Sequence, residues 1–203
     1  MYKKNEQQRD SNMSPDEVLG FWLDKVGQEN WYATDKALDS EIRRRFLKSW
    51  NELKSGAFGL WLTYPSGACA YIILADQFPR NMFRGSKQAF SSDKAGLSAA
   101  KSSIKRGWDL RIDEPARQFF YLPLMHSENL YDQDRCVRLI SARMKVSGDS
   151  NLTHAKAHRE VIRQFGRFPY RNDALERKFM TVEREYLDKG GYGATLRELN
   201  KVS

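Results

Sequence analysis

Only two cysteines occur in the 203 residues, Cys69 and Cys136, and neither has a partner at CxxC spacing. That scarcity argues against a disulfide framework and against a thiolate zinc site, so both read as buried free thiols. Long apolar runs are also lacking. The longest, Ala68 to Ala75, falls well short of the roughly 20 residues a spanning helix needs, and the polar N-terminus MYKKNEQQRDSN carries no apolar signal core. The expectation is a soluble chain kept in the cytoplasm, with no membrane partner. There is no GxSxG elbow, no Walker loop and no GxGxxG turn, which demotes serine hydrolase, P-loop and dinucleotide readings. No cofactor is expected.

What is present is a globular composition: 40% hydrophobic and 30% charged residues, too apolar for a disordered chain. The formal net charge of +8, from 34 basic against 26 acidic residues, is spread along the chain. Such a field favours anionic partners without naming one. No nucleic-acid motif accompanies it, so nucleic acid is not the expected partner.

Capping and periodicity predict a succession of about eight helices. Ser14-Pro15-Asp16-Glu17 opens the first, to about Val26, behind a flexible segment over residues 1–13. Thr34-Asp35 starts a second, with Leu38, Ile42, Phe46, Trp50 and Leu53 as its apolar stripe, and Gly56 stops it. Ser66 to Phe78 reads as the central buried helix, because nothing else in the chain offers that run a partner strand. Further helices are expected from Ser92-Asp93 to Arg106, from Asp113 to a stop at Pro123, and from Ser127-Glu128 onward with Leu130, Val137, Leu139, Ile140 and Met144 inward. The last two run from Asp149 or Ser150 to Phe165 and from Thr181 to Leu187. Residues 14–203 then form a single all-α domain.

Two segments echo each other: Asp76-Gln77-Phe78-Pro79-Arg80-Asn81 and Gly166-Arg167-Phe168-Pro169-Tyr170-Arg171-Asn172. Each is expected to break a helix at its proline, with arginine bonding the freed carbonyls. Alternatively, the two breaks bring Arg80 or Arg84 to Arg167 or Arg171, with Asn81 and Asn172 as orienters, and form a bidentate cradle for a carboxylate or phosphate. The histidines all lie in the second half. His154 and His158 share a helical face, but no HExxH glutamate lies between them, so no metal is assigned. A general acid or base is drawn from His126 with Glu128, or His158 near Asp76.

These same residues carry a family resemblance. Gly20-Phe21-Trp22-Leu23, Ala75 to Gly85 (ADQFPRNMFRG), Ala89-Phe90-Ser91-Ser92-Asp93, Tyr121 to Glu128 (YLPLMHSE), Ala157-His158, Ile162 to Asn172 (IRQFGRFPYRN) and Thr181 to Leu187 (TVEREYL) match the recurring motifs of one family over about residues 17 to 190. The chain resembles the bacterial family catalogued as domain of unknown function 924. The resemblance implies an all-helical fold similar to tetratricopeptide-like superhelices, with no established activity. Two positions depart from the family pattern: Tyr170 stands where it has histidine, and Leu175-Glu176-Arg177 where it has LGR. Two classes of function follow. One is a binder of, or enzyme acting on, a small anionic ligand in a polar pocket built from Asp76, Arg80, Asn81, His126, Glu128, His158, Arg167, Arg171 and Asn172. The other is a helical-repeat module that takes a protein or peptide partner.

Overall fold

A computed structural model describes residues 13–202. Helical segments make up 74% of the described residues, with no strand among them, which sets the class as all-α. Of the flexible N-terminal segment expected over residues 1–13, residues 1–12 lie outside the described residues.

Helix α1 (Pro15–Leu19) begins with the capping box its sequence announces. The Glu17 amide donates to Ser14 Oγ at 3.2 Å, and the Ser14 amide donates to Glu17 Oε2 at 2.8 Å. It runs directly into wider π-turns over Gly20–Val26 that bury Phe21, Trp22 and Val26. Helix α2 (Lys36–Lys54) takes Asp35 as its cap and buries Ile42, Phe46, Trp50 and Leu53, while Arg43, Arg44 and Arg45 face water. No helix among the described residues is long and apolar enough to cross a membrane.

Helix α3 is the centre of the molecule. It spans Pro65–Ile72, continues through a π-helical stretch Ile73–Gln77 and goes on as Phe78–Met82, with every residue from Gly67 to Pro79 buried. The central buried helix is therefore where periodicity places it, but Pro79 does not end it. Proline has no N–H for the carbonyl four residues before it. That carbonyl, of Ala75, instead accepts the Ser92 hydroxyl at 2.6 Å, and Ser92 Oγ in turn accepts the Trp50 indole N–H at 2.9 Å. The wide turns and this outside donor carry the helix through the proline. They also pin the start of helix α4 (Asp93–Lys105) against the middle of α3. Ser92 sits at its N-cap without capping it, because the hydroxyl is already engaged.

The helix expected over 113–123 resolves into a 3₁₀ turn, Ala116–Phe120, and a short helix α5, Leu122–Met125, in whose first turn Pro123 lies. Proline here opens a helix, as its fixed φ and missing donor favour. Helix α6 (Leu130–Arg143) is capped by Asn129, whose Oδ1 accepts the Tyr131 amide at 2.9 Å, so Ser127 and Glu128 lie in the turn before it. Leu130 is 42% exposed, not inward, since the buried face is Asp132, Gln133, Cys136 and Ile140. Helix α7 (Asp149–Phe165) ends at Gly166 in a left-handed conformation, φ 68°. Helices α8 (Thr181–Asp188) and α9 (Gly191–Val202) follow, the last of them beyond the helices expected from the sequence.

The buried apolar residues from Val18 to Ala155 form one core around α3, and Val161, Ile162 and Phe168 form a smaller one with Phe165, Tyr186 and Tyr192. Both cysteines are buried and free. The likeness of the two Phe-Pro segments is one of sequence only: the first is helical throughout, whereas the second is a loop with a single 3₁₀ turn, Pro169–Arg171. The tetratricopeptide-like superhelix stays an expectation of the resemblance.

Two measurements test this core. Ile73 and Leu74 are both 0% exposed, so Ile73→Ala and Leu74→Ala should each cost about 2–5 kcal/mol in urea denaturation. Ser92→Ala should cost about 1–3 kcal/mol for each group it orphans, the Ala75 carbonyl and the Trp50 N–H. Losses below about 1 kcal/mol would show that α3 is not the keystone.

Candidate functional site

The site forms where the π-turn of α3, the start of α4, the end of α5 and the loop after α7 converge. Asp76 lies in the π-turn with 0% exposure. A buried carboxylate is tolerated only when fully paired, and four donor contacts meet this one. His126 Nδ1 is 2.9 Å from each of its oxygens, the Gln77 amide donates at 2.6 Å, and the Arg80 guanidinium donates at 3.1 Å. Arg80, one helical turn on, also donates to Asp93 at 2.9 Å.

Arg171 arrives from the loop after α7. Its guanidinium lies against the rings of Phe168, 4.3 Å to the centroid, and Phe90, 4.8 Å, and Arg80 reaches the same Phe90 ring at 5.5 Å. Arg171 donates to the His126 carbonyl at 3.1 Å and stands 3.9 Å from Asp93. The two Phe-Pro segments thus do meet, through Arg80 and Arg171 on either side of Asp93. Above them is a cleft of about 340 Å³, lined by His126, Asp93, Lys94, Ser127, Glu128 and Arg171 on its polar side and by Phe90, Leu97, Pro123 and Leu175 on its apolar side.

The protonation states follow from burial and charge. Burial works against the Asp76 carboxylate, but neighbouring His126 and Arg80 outweigh it and hold its pKa well below the usual range. His126 is pushed down to about 4, chiefly by burial and then by the Arg80 charge, so it is neutral at pH 7. Since ionised Asp76 can only accept, the neutral ring places its proton on Nδ1, and no described group bonds Nε2. Burial raises Asp93 to about 6 against the pull of Arg80. Burial also lowers the Arg171 pKa, with the charge of Arg80 adding to it.

The remaining expected site residues have other tasks. Glu128 does not pair with His126. It accepts the Phe168 amide at 2.8 Å and both terminal nitrogens of Arg177, at 2.7 and 3.0 Å, because the turn before α6 directs it at the loop after α7. His158 is not at Asp76: its Nδ1 lies 2.9 Å from the His154 carbonyl and 3.0 Å from the Tyr192 hydroxyl, with its ring 6.4 Å from that of His126. Arg167 clasps fully buried Glu183 through two bonds of 2.6 and 2.8 Å, and Asn172 donates to the same carboxylate at 3.1 Å. Arg84 and Asn81 both turn to Asp39 on α2, at 2.6 and 2.9 Å. Arg84, Asn81, Arg167 and Asn172 thus bond carboxylates of other elements, not the carbonyls freed at a helix end that the sequence leads one to expect for the arginines. Tyr170, where the family has histidine, stacks on Phe168 with ring centroids 5.3 Å apart.

Asp93, Lys94, Phe90 and Ser127 are site residues that sequence reasoning passed over. The signal was available in Ala89-Phe90-Ser91-Ser92-Asp93, where Asp93 reads first as a helix-capping residue. Only the Ser92–Ala75 bond shows that this cap abuts α3.

Residues 18–191 match the family described as a bacterial protein of unknown function, domain of unknown function 924, and the chain belongs to it. A solved structure of the protein of unknown function ATU0120 from Agrobacterium tumefaciens is 34% identical, with a TM-score of 0.81 over 86% of this chain and 97% of that one. Among curated proteins, none matches this chain.

The histidines make stability pH-dependent in a direction that can be worked out. Burial depresses His158 to about 3 and His126 to about 4 from an ordinary 6.5, so between those values the unfolded chain binds protons that the folded one refuses. Their contribution falls as pH is lowered below about 6.5. Asp93, raised to about 6 from 3.8, acts with the opposite sign, strengthening the fold as pH falls through 6. Two histidines outweigh one carboxyl. Urea midpoints measured from pH 7 to 4 should therefore decline, and His158→Gln should flatten that decline. An unchanged slope in the variant would contradict the burial of a neutral His158.

Proposed function

We propose that the cleft above Asp76 and His126 binds a small anionic molecule, with Arg171 as the partner of its charge. The observation that carries this reading is the state of Arg171. It is only 6% exposed, yet its hydrogen bonding to the described residues is a single bond to a main-chain carbonyl, and its nearest carboxylate is 3.9 Å away. A guanidinium carries five N–H donors, and since no Arg171 nitrogen is both buried and unpartnered, those that bond no described residue face the cleft, where an anion can meet them. Arg167, by contrast, is fully clasped by Glu183. The aromatic rings beside Arg171 cover its flat surfaces and leave its edge for a fork-like contact with a carboxylate or phosphate. The overall excess of positive charge favours the encounter. A cytoplasmic location belongs to the same reading and is supported by two free buried cysteines, the state a reducing compartment maintains.

Thermal unfolding with acetate, succinate and inorganic phosphate tests the proposal. At least one anion should raise the melting temperature of the unmodified protein in proportion to its occupancy. Arg171→Met should abolish that rise while keeping a folded circular-dichroism spectrum. Arg167→Met should melt lower but keep the response. The reading fails when no anion stabilises the unmodified chain, or when Arg171→Met responds as the unmodified chain does.

A further inference from the structure

We infer that the cleft is hydrolytic: His126, oriented by Asp76, activates a water molecule against a carboxylic ester whose free carboxylate is held by Arg171. This rests on the anion-binding reading above and adds a reaction to it.

A general base needs a lone pair aimed at solvent or substrate and a partner that fixes its tautomer. Asp76 supplies the second condition. Its carboxylate receives the Nδ1–H of His126 at 2.9 Å, and is itself held by Gln77 at 2.6 Å and Arg80 at 3.1 Å. The lone pair then belongs to Nε2, which bonds no described group, on a residue that lines the cleft. Both members sit on packed elements, Asp76 in the π-turn of α3 and His126 at the end of α5. Interruptions of this kind in a helix recur at functional sites.

The nucleophile is water. Among the described residues the one hydroxyl lining the cleft, on Ser127, donates to Asp132 at 2.9 Å, and both cysteine thiols are fully buried. Around the cleft stand Arg80, Arg171, Arg177 and Lys94 against Asp76, Asp93 and Glu128, one positive charge in excess at neutral pH. That balance suits a monoanion such as a half-ester. The wall of Phe90, Leu97, Pro123 and Leu175 offers apolar surface to its carbon chain. A volume of about 340 Å³ fits a small substrate.

In the step itself, Nε2 takes a proton from water while the water oxygen bonds to the acyl carbon and the carbonyl electrons move to oxygen. The tetrahedral species then re-forms its carbonyl and expels the alcohol oxygen, which receives the proton back from Nε2. The products are one carboxylic acid and one alcohol, with no electron donor or acceptor required. Asp76 stays ionised throughout and stabilises the transient imidazolium, as a buried carboxylate beside histidine does in hydrolytic sites.

The test uses the full chain and mono(4-nitrophenyl) succinate, with release of 4-nitrophenol as the readout and 4-nitrophenyl acetate as the uncharged comparison. The half-ester should turn over with saturation above its spontaneous rate. His126→Gln should lower kcat about 100-fold or more with little change in KM. Asp76→Asn, a change to a positioning residue, should do the same in kind, and it serves as the second variant should His126→Gln fail to fold by circular dichroism. Arg171→Met, which also removes a bond to the His126 carbonyl, should raise KM for the half-ester at least 10-fold more than it changes KM for the acetate ester. Wild-type kcat in folded His126→Gln overturns the inference. So does an absence of turnover when succinate stabilises the protein, a result that leaves the anion-binding reading standing. No turnover and no stabilisation by any anion would bring down both.

Discussion

A carboxylate with no exposure to water, in the middle of the most buried helix, is the constraint around which this protein is organised. Asp76 cannot be accommodated there as a bare charge, since desolvation would cost far more than the fold can supply. It is accommodated because two stretches of chain bring three donors to it: Gln77 and Arg80 from α3 itself, and His126 from the end of α5. Asp93 on α4 then shares Arg80, and Arg171 from the loop after α7 closes the group. A helix bundle with an apolar residue at this position would need none of these relations. The polar cluster therefore fixes how α3, α4, α5 and the loop after α7 sit relative to one another.

The irregularity of α3 serves the same end. Pro79 leaves the Ala75 carbonyl without its helical partner, and the Ser92 hydroxyl takes that place. Because Ser92 is the residue before Asp93, satisfying one orphaned carbonyl also delivers the second carboxylate to Arg80. Local backbone chemistry and site assembly are here one event. The π-turn over Ile73–Gln77 lets the chain pass the proline without a break and holds Asp76 and Gln77 within reach of the same donors.

The arginines divide into two kinds on physical grounds. Arg84, Arg167 and Arg177 each meet a carboxylate of the protein through paired, short bonds, and such pairs lock loops and helices together. Arg171 is more deeply buried than any of these, and among the described residues it bonds only a main-chain carbonyl. Paired arginines have their charge answered within the fold; Arg171 bonds no carboxylate closely and lines a cleft. That contrast, more than the number of basic residues, is what the proposal of an anionic ligand rests on.

Much of this was legible in the residues. The all-helical class followed from caps and apolar spacing, which act within a few residues: Ser14 with Glu17, Asp35 ahead of α2, Gly166 after α7. The burial of 68–78 followed from a run too apolar for any exposed face. Asp76, Arg80, His126 and Arg171 were marked as functional by type, and the structure brings those four together. The partners were not legible. Nothing local says that His126 pairs with Asp76 rather than Glu128, that Arg167 belongs to Glu183, or that Pro79 sits inside a helix while Pro169 lies in a loop. These outcomes depend on groups between 16 and 50 residues apart in the chain, and on which carbonyl finds an outside donor. Sequence determines which side chains can carry charge and protons and where helices begin, because those depend on neighbours along the chain. Which charges are answered inside the protein and which remain for a ligand is decided only by packing, because a carboxylate selects its partner by distance in space.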